Sequence, residues 1–142
     1  MDKTERAMEL FDSGCNCCQS TFLALCEEMD LDPKTALKIS SGFGGGMQQG
    51  EICGAVTGAV MHLGLKNGNS SIDDAEAKEK TGKLVKEFCT EFKNRNDSII
   101  CKELLGCDTS TVEGKQYSTD NKLKEKTCKN LVKDAIDIAC NY

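Results

Sequence analysis

Ten of the 142 residues are cysteine. That side chain offers three chemistries: metal ligation, thiol–disulfide exchange, and packing as a small apolar group. The N-terminal stretch is charged from Asp2 onward and has no apolar signal-peptide core, which predicts a cytoplasmic chain whose thiols stay reduced. In that compartment abundant cysteine points to metal or redox chemistry, with about half of the ten expected to serve only as packing. Two settings favour a reactive thiol. Cys15-Asn16-Cys17-Cys18 holds a Cys-x-x-Cys pair at a predicted helix start, where the helix dipole lowers a thiol pKa, although Cys18 equally fits an apolar face with Phe22 and Leu25. The second setting is the stronger local signal. The loop from Gly42 to Gly50 runs into Cys53-Gly54-Ala55, and such glycines bring backbone N–H groups close to an anionic sulfur or phosphate. Its plain alternative is an ordinary connection between two helices.

Other sites fail on spacing. No glycine run continues into Gly-Lys-Ser/Thr, so there is no phosphate-binding P-loop. The dinucleotide fingerprint would need glycine where Met47 stands. Ferredoxin spacings are absent, and one histidine cannot complete a histidine-containing zinc finger. That histidine, His62, lies half a revolution of helix away from Cys53 and reads as a packing or surface residue.

Helices must hold these residues. Apolar spacing predicts them over 3–12, 17–29 and 33–41, the third opened by Asp32-Pro33 as cap and first helical residue. A fourth runs over 52–65, where Gly54, Ala55, Gly58 and Ala59 suit close helix packing. Ser71-Ile72-Asp73-Asp74 resembles a capping box for a helix reaching 94, with Val85, Phe88, Cys89 and Phe92 on its face. A short helix over 98–105 ends at Gly106, a loop fills 107–119, and a last helix covers 120–140. No alternating strand is present. The expectation is an all-α, single-domain bundle over 1–142, of six or seven helices, with the glycine-rich loop before the fourth.

Charge narrows the partners. The net charge is −5 with only two arginines, Arg6 and Arg95, which argues against nucleic acid. Residues 1–65 carry 4 basic and 9 acidic side chains against 14 and 14 in the remainder, so the net charge resides in the first half. Between Ile39 and Leu65 the only formal charge is Glu51, and eight of the 13 glycines lie there, which predicts a closely packed centre. The longest apolar run, 52–65, is too short to span a bilayer.

The sequence resembles the redox-active family named for its cysteine pattern, C_GCAxxG_C_C. The matching residues are Gly14-x-Asn16-Cys17-x-Gln19, Ser41-Gly42-Phe43-Gly44-Gly45-Gly46, Cys53-Gly54-Ala55-x-x-Gly58, Leu63-Gly64-Leu65, Cys101-x-x-Leu104-Leu105-Gly106 and Cys128. The resemblance implies a redox role for Cys17, Cys53, Cys101 and Cys128 acting together. A similar domain accompanies haem in split-Soret cytochromes, but no Cys-x-x-Cys-His is present here for covalent haem. The remaining cysteines, at positions 15, 18, 26, 89, 107 and 140, lie outside the pattern.

Three functions follow as expectations. The first is electron transfer through an iron–sulfur cluster on those four cysteines, with Gly44, Gly45, Gly46 and Gly54 as its glycine surroundings. The second is metal-free thiol–disulfide exchange, with Cys17 and Cys53 as the reacting pair, or Cys101 and Cys128. The third is a structural zinc site on the same four sulfurs. A redox partner protein is implied by the first, and a homodimer is compatible with all three.

Overall fold

The computed structural model describes residues 1–142 and contains eight α-helices in place of the six or seven expected. The first is α1 (Lys3–Asp12), opened by a reciprocal cap between Asp2 and Glu5. Next come α2 (Cys17–Cys26) and α3 (Pro33–Ser40), the latter capped by Asp32, whose carboxylate accepts from the Thr35 N–H at 3.2 Å. Helix α2 stops short of the expected Met29, because Met29 turns back to pack with Leu31 against Phe22, Cys26 and Ala36.

The remaining helices are α4 (Gly54–Asn67), α5 (Ala75–Asn96), α6 (Cys101–Leu105), α7 (Val112–Asp120) and α8 (Lys129–Ala139). The cap of α5 is Asp74, which accepts from the Ala77 N–H at 3.1 Å, so the Ser71 capping box is displaced by three residues. Helix α7 lies in what reads as a loop. It ends at Asp120, and Lys122, at a positive φ of 52°, interrupts the helical backbone before one π-helical turn (Lys124–Cys128) that precedes α8. The single helix expected over 120–140 is therefore divided.

The core unites α1, α2, α4, α5 and α8 through residues such as Leu25, Val56, Leu63, Phe88, Phe92, Val132 and Ile136. Small residues make the α2–α4 contact close. A side chain at Gly58 would stand 2.8 Å from the Cys18 carbonyl oxygen and 3.1 Å from Thr21 Cβ. Phe88 and Phe92 bury both rings, 6.1 Å apart, under the same assembly. No helix is long and apolar enough to cross a membrane.

The glycine loop is not a slack tether. After a short 3₁₀ turn (Ser41–Phe43), four successive residues, Gly45 to Gln48, take positive φ between 60° and 63°, followed by Gly50 at 65°. This is one turn of left-handed backbone, which costs about 1–2 kcal/mol at each non-glycine residue. Gln48 Nε2 donates to the Gly44 carbonyl at 2.8 Å, and the Glu51 N–H donates to the Gly46 carbonyl at 3.0 Å. The turn delivers the chain into a two-residue antiparallel bridge, Ile52 opposite Ile100.

Candidate functional site

That bridge sets two thiols side by side. The Cys53 N–H donates to the Ile99 carbonyl at 2.7 Å and the Cys101 N–H to the Glu51 carbonyl at 2.5 Å. Each cysteine is one residue past a bridging isoleucine, so both side chains leave the bridge on the face opposite Ile52 and Ile100. An ion pair between Lys102 and Glu51, at 3.1 Å, closes the outer edge.

A helix start supplies the third thiol. Cys17 is the first residue of α2, after Asn16, whose side chain accepts from the Gln19 N–H at 2.9 Å while Gln19 accepts from the Asn16 N–H at 3.0 Å. Asn16 Nδ2 also donates to the Ser41 carbonyl at 3.0 Å and ties this start to the glycine loop. The fourth thiol, Cys128, ends the π-helical turn before α8, and one extra residue in a turn re-aims a side chain without ending the helix.

Cys17, Cys53, Cys101 and Cys128 line one cavity of about 820 Å³. Gly44, Gly45, Gly46 and Gly54 line it as well, and three of them are there to let the protein approach itself. A side chain at Gly46 would stand 2.8 Å from Cys101 Cβ, one at Gly54 3.2 Å from Cys17 Cβ, and one at Gly44 2.8 Å from Asn16 Nδ2. Only Gly45, with its nearest neighbour 3.6 Å away, leaves open room.

The thiols sense one another. Hydrogen bonding to Cys128, then burial, raises the Cys17 thiol well above its ordinary value, with further pressure from Cys53 and Cys101. The same interaction with Cys17 lowers Cys128, against its own burial and aided by Lys124. Burial pushes Cys53 up to about 12, opposed by the Ala55 and Val56 N–H groups. Burial pushes Cys101 up to about 11, with Cys128 and Cys107 adding to it and Thr109 opposing. Cys17, Cys53 and Cys101 thus favour the neutral thiol and Cys128 the thiolate, while four thiolates together would require a cation among them. The thiol that acts most strongly on Cys17 is Cys128, whereas the dithiol expectation pairs Cys17 with Cys53, or Cys101 with Cys128.

The family model described as "Putative redox-active protein (C_GCAxxG_C_C)" matches residues 15–142. The chain belongs to this family. No curated protein and no solved structure matches it significantly. The six cysteines outside the C_GCAxxG_C_C pattern are dispersed: Cys18 and Cys26 are buried in α2, Cys89 is half-buried on α5, and Cys140 is exposed at the end of α8. Cys15 precedes the α2 cap, and Cys107 follows α6 near enough to influence both Cys101 and Cys128.

Sequence reasoning passed over one wall of the cavity. Lys115 and Ser118 of α7, with Lys122 and Lys124 after it, line the same space as the sulfurs. Thr111 signals that helix in the sequence, because its hydroxyl accepts from the Gly114 N–H at 3.0 Å as a helix cap. His62 lies on α4 away from the cavity, buried with Nδ1 unpartnered.

Proposed function

We propose that this C_GCAxxG_C_C protein transfers electrons through an iron–sulfur centre held by Cys17, Cys53, Cys101 and Cys128. The carrying observation is the donor set: four sulfurs from four separate segments face one cavity, with no histidine among its lining residues. Such soft donors suit iron–sulfur clusters or zinc and disfavour magnesium or calcium. No three cysteine, histidine or acidic side chains stand close enough together to hold a metal ion as they are, so the four sulfurs would have to draw in around a bound group. When bound, the cluster would supply one-electron chemistry at a potential set by burial and by nearby N–H groups. The chain's own part is to hold the sulfurs in place. The bridge fixes Cys53 and Cys101, the Asn16–Gln19 cap fixes Cys17, and the π-helical turn fixes Cys128.

A metal-free dithiol is the second reading, favoured by the pairing of Cys17 with Cys128. There the Cys128 thiolate would attack a disulfide-bearing acceptor and release one acceptor sulfur as a thiolate. Cys17 would then displace the other as it closes the Cys17–Cys128 disulfide, so the acceptor takes up two electrons, one proton from Cys17 and one from solvent. Anaerobic purification with iron, zinc and visible-spectrum measurement decides between them. We expect a brown, iron-containing protein, with serine at any of the four positions sharply lowering iron content and serine at Cys26, Cys89 or Cys140 having little effect. Full metal content in all four variants would overturn the ligand set. A colourless, metal-free protein that reversibly crosslinks Cys17 to Cys128 would establish the dithiol.

A further inference from the structure

The four-thiol cavity is larger than its sulfurs need, and its outer wall has a composition of its own. At about 820 Å³ it falls within the roughly 300–1,000 Å³ of small-molecule sites. Beside the four sulfurs, Phe11, Leu105 and Leu131 give the lining its apolar part. The lining also carries Lys115, Lys122 and Lys124, with Glu125 as its only carboxylate, in a chain whose net charge is −5, and Lys124 stands near enough to Cys128 to favour its thiolate. None of the three lysines is neutralised by an ion pair, a state they share with most lysines of the chain, Lys102 and Lys129 excepted.

Nor does core packing explain why this wall is where it is. The only buried residue of α7 is Gly114, seated against the Asp108 carbonyl, while its apolar residues Val112 and Tyr117 are 83% and 51% exposed. An amphipathic helix held by its core would turn those two inward. Instead α7 presents Lys115 and Ser118 to the cavity. Directly after it Lys122 holds a positive φ of 52°, a strained backbone at a residue that lines the same space.

We infer that the cavity is a binding site for a small organic anion, a carboxylate or a phosphate ester, held by Lys115, Lys122 and Lys124 with its carbon body beside the four sulfurs. The inference deepens the redox reading by giving the centre a low-molecular-weight reactant in addition to a protein partner. Ammonium groups donate and never accept hydrogen bonds, so they select anionic oxygen. The apolar surround beside the sulfurs favours a ligand with carbon behind that head group over a bare inorganic ion.

Two alkylating reagents of nearly equal size test this, the anionic iodoacetate and the neutral iodoacetamide. They are applied to the reduced full chain after chelation of any metal, with modified cysteines mapped by mass. The exposed Cys140 is the internal reference. The iodoacetate-to-iodoacetamide rate ratio at the cavity cysteines is expected to exceed that at Cys140 by about tenfold, the lower end of electrostatic steering. In Lys115→Gln/Lys122→Gln/Lys124→Gln the ratio should fall to that of Cys140, with iodoacetamide rates falling only at Cys128, whose thiolate Lys124 favours. Lys78→Gln/Lys80→Gln/Lys83→Gln on α5 makes the same charge change far from the cavity and should preserve the preference. Succinate should slow iodoacetate at the cavity at lower concentration than inorganic phosphate does. Equal ratios at the cavity and Cys140, or equal loss in both triple variants, would overturn the site. Phosphate competing as well as succinate would overturn its organic character. Iron content is read separately on protein as isolated, so failure of the cluster reading leaves this result standing on its own.

Discussion

Glycine serves opposite purposes in two adjacent regions of this protein. In α4, Gly54 and Gly58 have ordinary helical backbone, and what matters is the missing side chain, which lets α2 approach within contact of the α4 backbone. In the loop before it, Gly45, Gly46 and Gly50 supply left-handed backbone that other residues take up only at a cost. The first region makes a rigid floor. The second spends conformational strain to turn the chain so that Cys53 and Cys101 meet across a bridge. Cys53 is the hinge point between them, the last residue of one and the cap of the other.

Substitution separates the two roles. Gly46→Ala meets both penalties, a positive φ of 63° and a side chain 2.5 Å from the Glu51 nitrogen and 2.8 Å from Cys101 Cβ. We expect a loss of about 2–5 kcal/mol in denaturant unfolding, together with lowered metal content because Cys101 is displaced. Gly58→Leu meets only the steric one. It should cost about 1–3 kcal/mol by wedging α2 from α4, with the metal content of the folded fraction retained. If Gly58→Leu lost metal at full stability while Gly46→Ala kept it, the division of labour between the regions would be wrong.

The rigid floor also carries a proton-sensitive residue. His62 on α4 is 7% exposed with Nδ1 unpartnered, and burial lowers its pKa to about 4, with Lys66 and Lys3 acting in the same direction. An unfolded chain would hold the imidazole near its ordinary 6.5. Between those values the unfolded state binds more protons, so stability falls as pH drops through 6.5 toward 4. The expected loss is about 2 kcal/mol by pH 5. His62→Gln should flatten that slope, and NMR titration of this sole imidazole reads the folded pKa directly. A titration near 6.5 would show that the α4 region admits water.

How much of this was legible depends on what each residue answers to. Asp32 is read correctly from sequence because a cap is decided within three residues, and Asp2 and Asn16 carry the same kind of local signal that the sequence reading did not use. The packing of Gly58 is legible for a similar reason, since small residues four apart on an apolar helix have few other uses. Helix α7 is not, because its apolar residues face solvent and its polar ones face the cavity, the reverse of the periodicity that marks a helix. The left-handed run is hidden at Met47 and Gln48, whose types favour no positive φ. The partnership of Cys17 with Cys128 spans most of the chain and is set by tertiary packing, so no local pattern marks it. The four-cysteine set came from the family pattern, and spacing alone offered the nearer Cys15–Cys18 pair.

The smallest expected effects test the comparison most finely, because the two regions should respond to opposite substitutions with the same sign. Met47 holds φ 63°, ψ 33° with its side chain 55% exposed, so it bears the left-handed penalty with little burial in return. Met47→Gly removes about 1–2 kcal/mol of strain and restores part of that as unfolded-chain entropy, for a net gain of about 0.5–1 kcal/mol. Gly64, in α4, has nothing within 4 Å of where a side chain would begin. There Gly64→Ala should also gain about 0.5–1 kcal/mol, by helix propensity alone. Urea unfolding of both variants measures this, with metal content as the check that the cavity is undisturbed. A destabilised Met47→Gly would mean that the exposed Met47 side chain, and not the backbone it sits on, is what the loop requires.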